Sequence, residues 1–392
     1  MYIKRTLATA CKEYQKFPVV AVLGPRQSGK TTLAQQVFKK HQFVSFEDPE
    51  KRDFAAIDPR RFLKEMGNKH GIIIDEFQYV PSLLSYIKLD VDTHKRPGYF
   101  VLTGSQNFLM NQAITQSLAG RVGILTLLPF SLKELIDNDF APDVNQVLLY
   151  GSYPRIYDEK LLPNKFYPSY IHTYVERDVR QLATVGNLLT FQKFMQLCAG
   201  RTGQLLNVSD LAVSCGITRI MAENWLSVLE ASYIIFLLKP HFNNFNKRLT
   251  KTPKLYFYDT GLACSLLGIR STKELSASPF RGHLFESLII SDLYKQYFNS
   301  GERAPLYFWR DQNGRIEIDC IIDRGRVLTP IEIKSGETIT RDYFTGLTNF
   351  SELAKTASKS GYIIYGGTSE QNRSAGHVIG WQKASTLIKT ID

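Results

Sequence analysis

The stretch GPRQSGKTTL at residues 24 to 33 has two glycines separated by four residues, followed directly by a lysine and a threonine. This is the P-loop pattern, in which glycines let the backbone wrap around phosphates with N–H groups pointing inward. The lysine is expected to reach the β and γ phosphates, and the first threonine to bind Mg²⁺. The predicted cofactors are therefore ATP and Mg²⁺, bound by Gly24, Pro25, Arg26, Gln27, Ser28, Gly29, Lys30, Thr31 and Thr32.

An acidic pair, Asp75 and Glu76, follows the apolar run GIII. Asp75 is expected to bind Mg²⁺ through its water shell, and Glu76 is expected to polarise the water that attacks the γ-phosphate. Lys30, on the phosphates, is the second predicted catalytic residue of this site. The alternative is two solvated acids at the end of a strand. With the glycine loop upstream, the extra glutamate favours hydrolysis of ATP over binding alone.

Polar residues near two further strands are candidates for contact with the γ-phosphate. Thr103 and Ser105 end the apolar run YFVLTGS, where a polar side chain can sense the γ-phosphate or instead cap the next helix. Arg121 precedes another apolar run and is a candidate arginine finger, in cis or toward a neighbouring subunit. A surface arginine in a structural ion pair is the alternative for Arg121.

A second set of charged residues lies near the C-terminus. Glu286 is expected on the polar flank of a helix over residues 281 to 298, and Asp319 lies on the middle strand of a predicted three-stranded hairpin. Glu332 and Lys334 alternate with isoleucines on the next strand, so both should point to the same face. Carboxylates of this kind suit Mg²⁺ or Mn²⁺, with Glu286, Asp319 and Glu332 as ligands.

In that arrangement Lys334 would activate water or stabilise charge on a phosphate, and the set would suit cleavage of a phosphodiester. Asp319, Glu332 and Lys334 are the predicted catalytic residues. The alternative is structural, because alternating charged and apolar residues are typical of any half-exposed strand.

The elements that must position these residues can also be predicted. Apolar runs before the glycine loop, at residues 43 to 48, before Asp75, up to Ser105 and after Arg121 indicate a parallel α/β sheet over residues 1 to 140. The nucleotide site should then lie at the carboxyl ends of its strands. Residues 251 to 392 form the last predicted domain, and Gln312-Asn313-Gly314 is a turn signal inside it.

Between these domains, residues 141 to 250 are predicted to form a helical module. It contains an amphipathic helix over residues 170 to 185. Ser209 is the expected N-cap of a later helix, and Gly216 marks a turn before a second helix over about 218 to 230. With the β-rich segment that follows, this is the layout of a winged helix-turn-helix.

The second helix of this module carries Arg219 but also Glu223 and Glu230, whereas a helix that reads DNA is usually more basic. DNA reading and packing against protein therefore both stay open.

Composition narrows the class of protein. The net charge of +11 is compatible with a nucleic-acid partner, and a merely basic surface is the alternative. No apolar run approaches the roughly 20 residues of a membrane span, and the polar N-terminus does not read as a secretory signal. A cytoplasmic location without a membrane partner is the expectation. Five scattered cysteines without CxxC spacing argue against a disulfide framework or a cysteine-based zinc site.

Nearly the whole chain resembles a family of prokaryotic AAA+-superfamily ATPases. The matching stretches, in the expected order, are GPRQSGKTTL, IIIDEFQYVP, VLTGSQN, LAGRVGILTLLPFSLKEL, GSYPR, YVERDV, KLYFYDTGL, GHLFES, EIDCII and IEIKSG. The resemblance implies ATP binding at Gly24 to Thr32 and a C-terminal PD-(D/E)xK nuclease fold preceded by a winged helix. It also implies a nuclease-like site at Glu286, Asp319, Glu332 and Lys334, although Ile318 stands where the PD pattern has proline.

Two functions are consistent with these features. In the first, ATP hydrolysis drives action on nucleic acid, which the C-terminal domain cuts or only grips. In the second, the chain is a STAND-like signalling ATPase whose C-terminal domain is a non-catalytic protein-binding scaffold, and ATP changes its association with further copies of itself. Both share the ATPase and differ in what the strand of Glu332 does.

Overall fold

The computed structural model describes residues 3–105, 114, 116–174, 188–241, 251–311, 315–325, 327–354 and 361–391. The chain divides into two compact units. The first consists of Met1–Phe130, Ala231–Tyr233 and Tyr297–Glu302. The second consists of Ser131–Glu230, Ile234–Gln296 and Arg303–Asp392. Both the middle module and the C-terminal segment predicted above thus lie almost wholly in the second unit.

The first unit is built on a parallel sheet of five strands in the order β2-β3-β4-β1-β5. Its strands are β1 Val19–Gly24, β2 Gln42–Ser45, β3 Ile72–Asp75, β4 Phe100–Ser105 and β5 Val122–Thr126. This confirms the predicted parallel α/β domain. The carboxyl ends of β1, β3 and β4 lie side by side, because Val22 pairs with Thr103 and Asp75 also pairs with Thr103.

Helices cover both faces of this sheet. They are α1 Ala8–Glu13, α2 Lys30–Val37, α3 Pro49–Ile57, α4 Pro59–Met66 and α5 Leu83–His94. Strand β1 shows why its sequence is a continuous apolar run, since successive side chains of a strand point to opposite faces. Val19, Ala21 and Leu23 enter one hydrophobic cluster, whereas Val20 and Val22 enter the other.

The second unit contains a helical part and two sheets. Its described helices are α6 Leu132–Ile136, α7 Val144–Tyr150, α8 Pro154–Asp158, α9 Pro163–Tyr174, α10 Leu188–Ala199, α11 Val208–Cys215, α12 Arg219–Ala231, α13 Thr260–Leu266, α14 Thr272–Ala277, α15 Arg281–Asn299, α16 Thr345–Ala354 and α17 Leu387–Ile391. The last residue of α12 and the last turn of α15 count with the first unit. No helix in the described ranges is both long enough and apolar enough to cross a membrane.

The middle module pairs α11 and α12 with a three-stranded antiparallel sheet in the order β6-β8-β7. Its strands are β6 Gln204–Leu205, β7 Ile235–Leu238 and β8 Lys254–Phe257. The N-cap of α11 is Asn207, whose side chain accepts a hydrogen bond from the N–H of Asp210, so the expectation for Ser209 was wrong by two residues. Gly216 ends the helix in the left-handed conformation, with φ of 77°, as the predicted turn requires.

The helix predicted over residues 170 to 185 is observed only in its first part. Helix α9 begins earlier, at Pro163, and is described to Tyr174. Residues 175–187, including most of the stretch YVERDV, lie outside the described residues.

The C-terminal sheet has six strands in the order β13-β14-β12-β11-β10-β9. They are β9 Leu306–Arg310, β10 Glu317–Asp323, β11 Leu328–Lys334, β12 Tyr362–Tyr365, β13 Gln371–Arg373 and β14 Gly376–Gly380. Strands β9, β10 and β11 pair antiparallel, which confirms the predicted three-stranded hairpin, and β12 pairs parallel to β11. The turn signal at residues 312–314 lies outside the described residues.

Helix α15 closely follows the predicted range of 281 to 298. Its apolar positions Leu284, Phe285, Leu288, Ile289 and Leu293 are all buried, as the helical spacing indicates. Glu286 lies on this helix. The hydroxyl of the next residue, Ser287, accepts a hydrogen bond from the Phe257 N–H of β8 and donates one to the Phe257 carbonyl.

Candidate functional site

The predicted phosphate loop joins β1 to α2 and takes a backbone path that needs its two glycines. Gly24 has φ of +155°, and a Cβ there would lie 2.1 Å from the carbonyl oxygen of Leu127. Gly29, the residue before α2, has φ of +91°. Side chains rarely adopt these angles, so the loop geometry explains why both positions are glycine.

Lys30 lies across this loop. It is only 6% exposed, and its Nζ donates to the carbonyl of Pro25 at 2.7 Å. The Ser28 hydroxyl donates to the same carbonyl at 2.9 Å. Pro25 is buried and Arg26 half-buried, whereas Gln27 and Thr32 are exposed. The structure thus gathers the ammonium group and the loop backbone at the start of α2, where the helix dipole favours an anion.

Arg5 supports the loop from the N-terminus and was not found by sequence reasoning. Its guanidinium donates to the carbonyl of Ser28 and to the carbonyl of Leu128, both at 2.6 Å, and lies over the ring of Phe130. The residue is 4% exposed. A single arginine near the N-terminus gave no signal of this role, because its partners are backbone atoms distant in sequence.

Asp75 is the centre of a hydroxyl cluster at the carboxyl end of β3. Thr31 of α2 donates to its Oδ1 at 2.8 Å, Ser45 of β2 lies 3.4 Å from its Oδ2, and Thr103 of β4 donates to Oδ1. The strand register causes this, since Ser45 and Thr103 are the direct neighbours of Asp75 in the sheet. A threonine hydroxyl beside a carboxylate offers the hard oxygen atoms that Mg²⁺ prefers, so these residues fit the predicted ion.

Glu76 follows Asp75 in a left-handed backbone conformation, with φ of 53° and ψ of 42°. Such a conformation is unfavourable for a residue with a side chain and is held here by its surroundings. The Gln78 amide donates to its carboxylate. Burial, together with the neighbouring charge of Asp75, raises the pKa of Glu76, while Lys30 opposes that rise. A carboxylate with a raised pKa is better suited to accept a proton than an ordinary one.

Two predicted γ-phosphate residues have other roles or lie outside the description. Thr103 is fully buried and donates to Asp75, so it orients that carboxylate. Ser105 ends β4, and its side chain lies outside the described residues.

Arg121 does not reach the nucleotide site of its own chain. It precedes β5, so it lies at the amino end of a strand that runs parallel to β1, while the glycine loop lies at the carboxyl end. Its guanidinium forms a two-pronged ion pair with Asp92, with Nη2 3.0 Å from Oδ2. The arginine finger expected in cis is therefore replaced by a structural ion pair of Arg121, which was the alternative from the sequence.

The second candidate site brings the predicted C-terminal residues together in the second unit. Lys334 donates to Glu332 Oε2 at 2.7 Å, so these two share one face as predicted, and it lies 3.6 Å from Asp319 Oδ2. Asp319 also accepts the backbone N–H of Ile333 at 2.8 Å. The ammonium group thus bridges two carboxylates on neighbouring strands.

Glu286 joins this cluster through a residue that sequence reasoning missed. Lys254 of β8 lies 3.3 Å from Glu286 Oε1 and forms an ion pair with Glu317, while the Tyr256 hydroxyl donates to Glu286. Glu286 was expected on a polar flank, but its side chain is only 12% exposed. Arg310 lies 3.3 Å from the other oxygen of Glu317 and completes the cluster.

Burial dominates the electrostatics of this cluster. It raises the pKa of Glu286 to about 7 and that of Glu332 to about 8, with the charge of Asp319 adding to both. Glu332 Oε1 is buried without a hydrogen-bond partner in the described part of the chain, and a Cβ at Gly346 would lie 2.1 Å from it. For Lys254, burial opposes the charge, but the carboxylates of Glu286, Asp319 and Glu317 outweigh it and raise the pKa.

These contacts do not fit the Mg²⁺ or Mn²⁺ site predicted for Glu286, Asp319 and Glu332. Two ammonium groups already contact the three carboxylates. Within the described ranges, no three acidic, histidine or cysteine side chains are arranged to hold one metal ion.

Comparison with known proteins places the chain in a family. It is 30% identical to the uncharacterised protein Rv2008c of Mycobacterium tuberculosis over 374 residues, which cover 94% of this chain and 81% of that protein. The uncharacterised protein Mb2031c of Mycobacterium bovis matches to the same extent. The chain belongs to the family of these mycobacterial proteins. A more distant relative from Haemophilus influenzae, also uncharacterised, is 22% identical over 284 residues, 64% of this chain and 69% of that protein.

Family models divide this family's chain into three parts. An AAA domain matches residues 16–136, and two domains of unknown function, DUF8612 and DUF4143, match residues 141–273 and 281–384. The first unit is therefore an AAA domain of the P-loop ATPase type, as the glycine loop and the parallel sheet indicate.

Solved structures give weaker likenesses. The Walker-type ATPase PABY2304 of Pyrococcus abyssi is 15% identical with a TM-score of 0.46, covering 68% of this chain and 96% of that one. The RuvB Holliday junction branch migration motor of Thermotoga maritima is 19% identical with a TM-score of 0.29, covering 59% and 86%. Because both TM-scores are below 0.5, neither likeness indicates a shared partner.

Proposed function

We propose that the first unit binds ATP with Mg²⁺ and hydrolyses it. The contact of Thr31 with Asp75 carries this proposal, because it joins the start of α2 to the end of β3 and brings a hydroxyl and a carboxylate within 2.8 Å. Lys30 lies at the same end of the sheet, on the loop that leads into α2.

Each residue then has a defined task. Lys30 would exchange its bond to the Pro25 carbonyl for the β and γ phosphates, and Thr31 and Asp75 would hold Mg²⁺, with Thr103 fixing the orientation of Asp75. The ion, when bound, neutralises charge on the phosphates. Glu76 takes the proton of the attacking water, for which its raised pKa prepares it. Before the attacking water is in place, the hydrogen bond from the Gln78 amide holds the Glu76 carboxylate.

The test is Mg²⁺-dependent release of phosphate from ATP by the full chain. Glu76→Gln should retain ATP binding but lower kcat by about 10²-fold or more, since it removes the proton acceptor. Lys30→Ala should weaken ATP binding, whereas Lys39→Ala, an exposed lysine later in the same segment, should change neither. Unchanged kcat in Glu76→Gln would contradict the assigned role of this residue.

For the second unit we propose a partner-binding module that responds to ATP turnover, with a protein as the partner. The surface of the middle module supports this choice. Val213 of α11 and Ile220 of α12 are 81% and 71% exposed. Arg219, the basic residue at the start of the candidate recognition helix, is paired with Glu223 at 2.9 Å. Exposed apolar side chains, and an arginine that already has an acidic partner, suit a protein surface better than phosphates.

The competing proposal is action on nucleic acid, for which the net charge of +11, the winged-helix layout and the nuclease-like residues are the support. Fluorescence anisotropy with labelled duplex and single-stranded DNA, over a range of salt concentrations, separates the two. Salt-sensitive binding, together with Mg²⁺- or Mn²⁺-dependent cleavage that is lost in Asp319→Ala and Glu332→Ala, would favour nucleic acid. No binding and no cleavage, with ATP turnover intact, would favour the protein partner.

A further inference from the structure

Lys254 holds an unusual position for a lysine. It is 4% exposed, and its ammonium group lies among the carboxylates of the C-terminal cluster, 3.3 Å from Glu286 and in contact with Glu317. A buried ammonium is tolerated only where opposite charges compensate its loss of hydration. Tyr256, two residues along β8 and on the same face, donates to Glu286 as well, so the strand offers two donors to one carboxylate.

The cluster is close to charge balance without any external ion. Four carboxylates take part, those of Glu286, Glu317, Asp319 and Glu332. Among the described residues, the lysines and arginines in contact with them are Lys254, Lys334 and Arg310, and His283, whose pKa is lowered by burial, lies 4.0 Å from Glu286. Lys254 contacts Glu286 of α15 and Glu317 of β10, and Lys334 contacts Asp319 of β10 and Glu332 of β11. A divalent metal needs several carboxylate oxygens at about 2.0 to 2.6 Å. In this cluster one oxygen each of Glu286, Asp319 and Glu332 contacts an ammonium group instead, whereas Glu332 Oε1 has no hydrogen-bond partner in the described part of the chain.

We propose that Lys254 is the resident cation of this cluster, and that its ammonium group takes the place a divalent metal would need. The chain then binds no divalent ion among these carboxylates while Lys254 is present. The cluster then has a structural role, because its ion pairs link β8 of the three-stranded sheet to α15 and β10. Metal-dependent cleavage at this site is excluded unless Lys254 is withdrawn. The inference does not depend on ATP hydrolysis, which concerns a different unit.

Binding of Mn²⁺ to the full chain tests this, with free Mn²⁺ measured by electron paramagnetic resonance in the absence of nucleotide. Thr31→Ala serves as the common background, so that the phosphate loop does not add a site. In that background, the chain with Lys254 should leave Mn²⁺ free up to millimolar concentrations. Adding Lys254→Met should create a site for one Mn²⁺ whose affinity is at least about tenfold above that of the background chain. Adding Asp319→Asn as well should abolish this increase in affinity.

Lys251→Met is the matched control, because Lys251 is exposed three residues before Lys254. It should behave as the background chain does. One Mn²⁺ bound by the chain with Lys254, and lost on Asp319→Asn, would overturn the proposal. The proposal would also be overturned if circular dichroism shows that Lys254→Met is folded and this variant still binds no more Mn²⁺ than the background chain. If Lys254→Met does not fold, the background and its Asp319→Asn variant still decide, since Mn²⁺ binding that depends on Asp319 refutes the proposal and its absence supports it.

Discussion

Replacing Arg5 tests whether the N-terminus of the chain controls the phosphate loop. Arg5→Ala removes two hydrogen bonds from a buried guanidinium, to the carbonyls of Ser28 and Leu128. Hydrogen bonds to a charged group contribute about 1.5 to 3 kcal/mol each, and a buried carbonyl left without a donor loses a similar amount. Since water can reach part of the space that the side chain vacates, we expect a loss of about 2 to 4 kcal/mol in unfolding free energy.

The same change should weaken ATP binding beyond this loss of stability. Ser28 belongs to the loop that wraps the phosphates, and freeing its carbonyl lets the loop sample other conformations before it binds. We expect the Kd for a fluorescent ATP analogue to rise about tenfold, which corresponds to about 1.4 kcal/mol of lost preorganisation. Arg5→Lys, which keeps the charge but not the two-pronged geometry, should recover part of both effects.

Two measurements on the same samples decide the matter, namely urea denaturation and titration of the analogue at a temperature where every variant is folded. A loss of stability without any change in Kd would show that Arg5 only supports the fold. Lys4→Ala, a neighbouring exposed residue, is the control and should change neither quantity.

Three further changes follow from the geometry. Arg121→Ala should leave stability nearly unchanged, because its ion pair with Asp92 is partly exposed, and kcat of dilute enzyme should stay unchanged. A loss of kcat that grows with enzyme concentration would instead reveal a finger in trans. Gly29→Ala should weaken ATP binding and destabilise the first unit by about 1 kcal/mol or more, read out by thermal unfolding, because φ of +91° is strained for alanine; an unchanged melting temperature would contradict this. Burial raises the pKa of Asp292 from its ordinary 3.8 to about 6, so its protonated form is favoured in the folded chain and stability should fall as pH rises from about 4 to 6. Asp292→Asn should remove up to about 3 kcal/mol of the change in unfolding free energy between pH 4 and 6. Identical pH profiles of unfolding free energy for both chains would refute the raised pKa of Asp292.

The parts of this fold that sequence reasoning found are those with a local cause. Gly29 was predictable because φ of +91° at that position favours glycine. Strand β1 was predictable because five successive apolar residues indicate a buried strand. The hairpin of β9, β10 and β11 was predictable for the same reason. Glu332 and Lys334 share a face because they are two residues apart on one strand, and the 2.7 Å bond between them follows from that spacing.

The residues that were missed have partners far along the chain. Lys254 begins a short apolar strand, where a lysine usually reaches solvent, and only the packing of β8 against α15 turns it toward Glu286. Arg5 bonds to a carbonyl 123 residues away. Arg121 is a different case, because its position was predictable in principle. A residue that precedes a parallel strand lies at the edge of the sheet opposite the phosphate loop.

The two lysines at the candidate sites differ in how readily they can change partners. One bond of Lys30 goes to the neutral carbonyl of Pro25, in a loop whose backbone suits an anion, so an incoming phosphate can replace that bond with a charge-assisted one. Lys254 is held by two carboxylates, and breaking a buried pair of this kind costs about 3 to 5 kcal/mol because an uncompensated charge stays behind. The first site is therefore arranged to exchange ligands during a cycle, whereas the second resists exchange. That difference supports the proposal that the AAA domain carries out the chemical turnover of this chain.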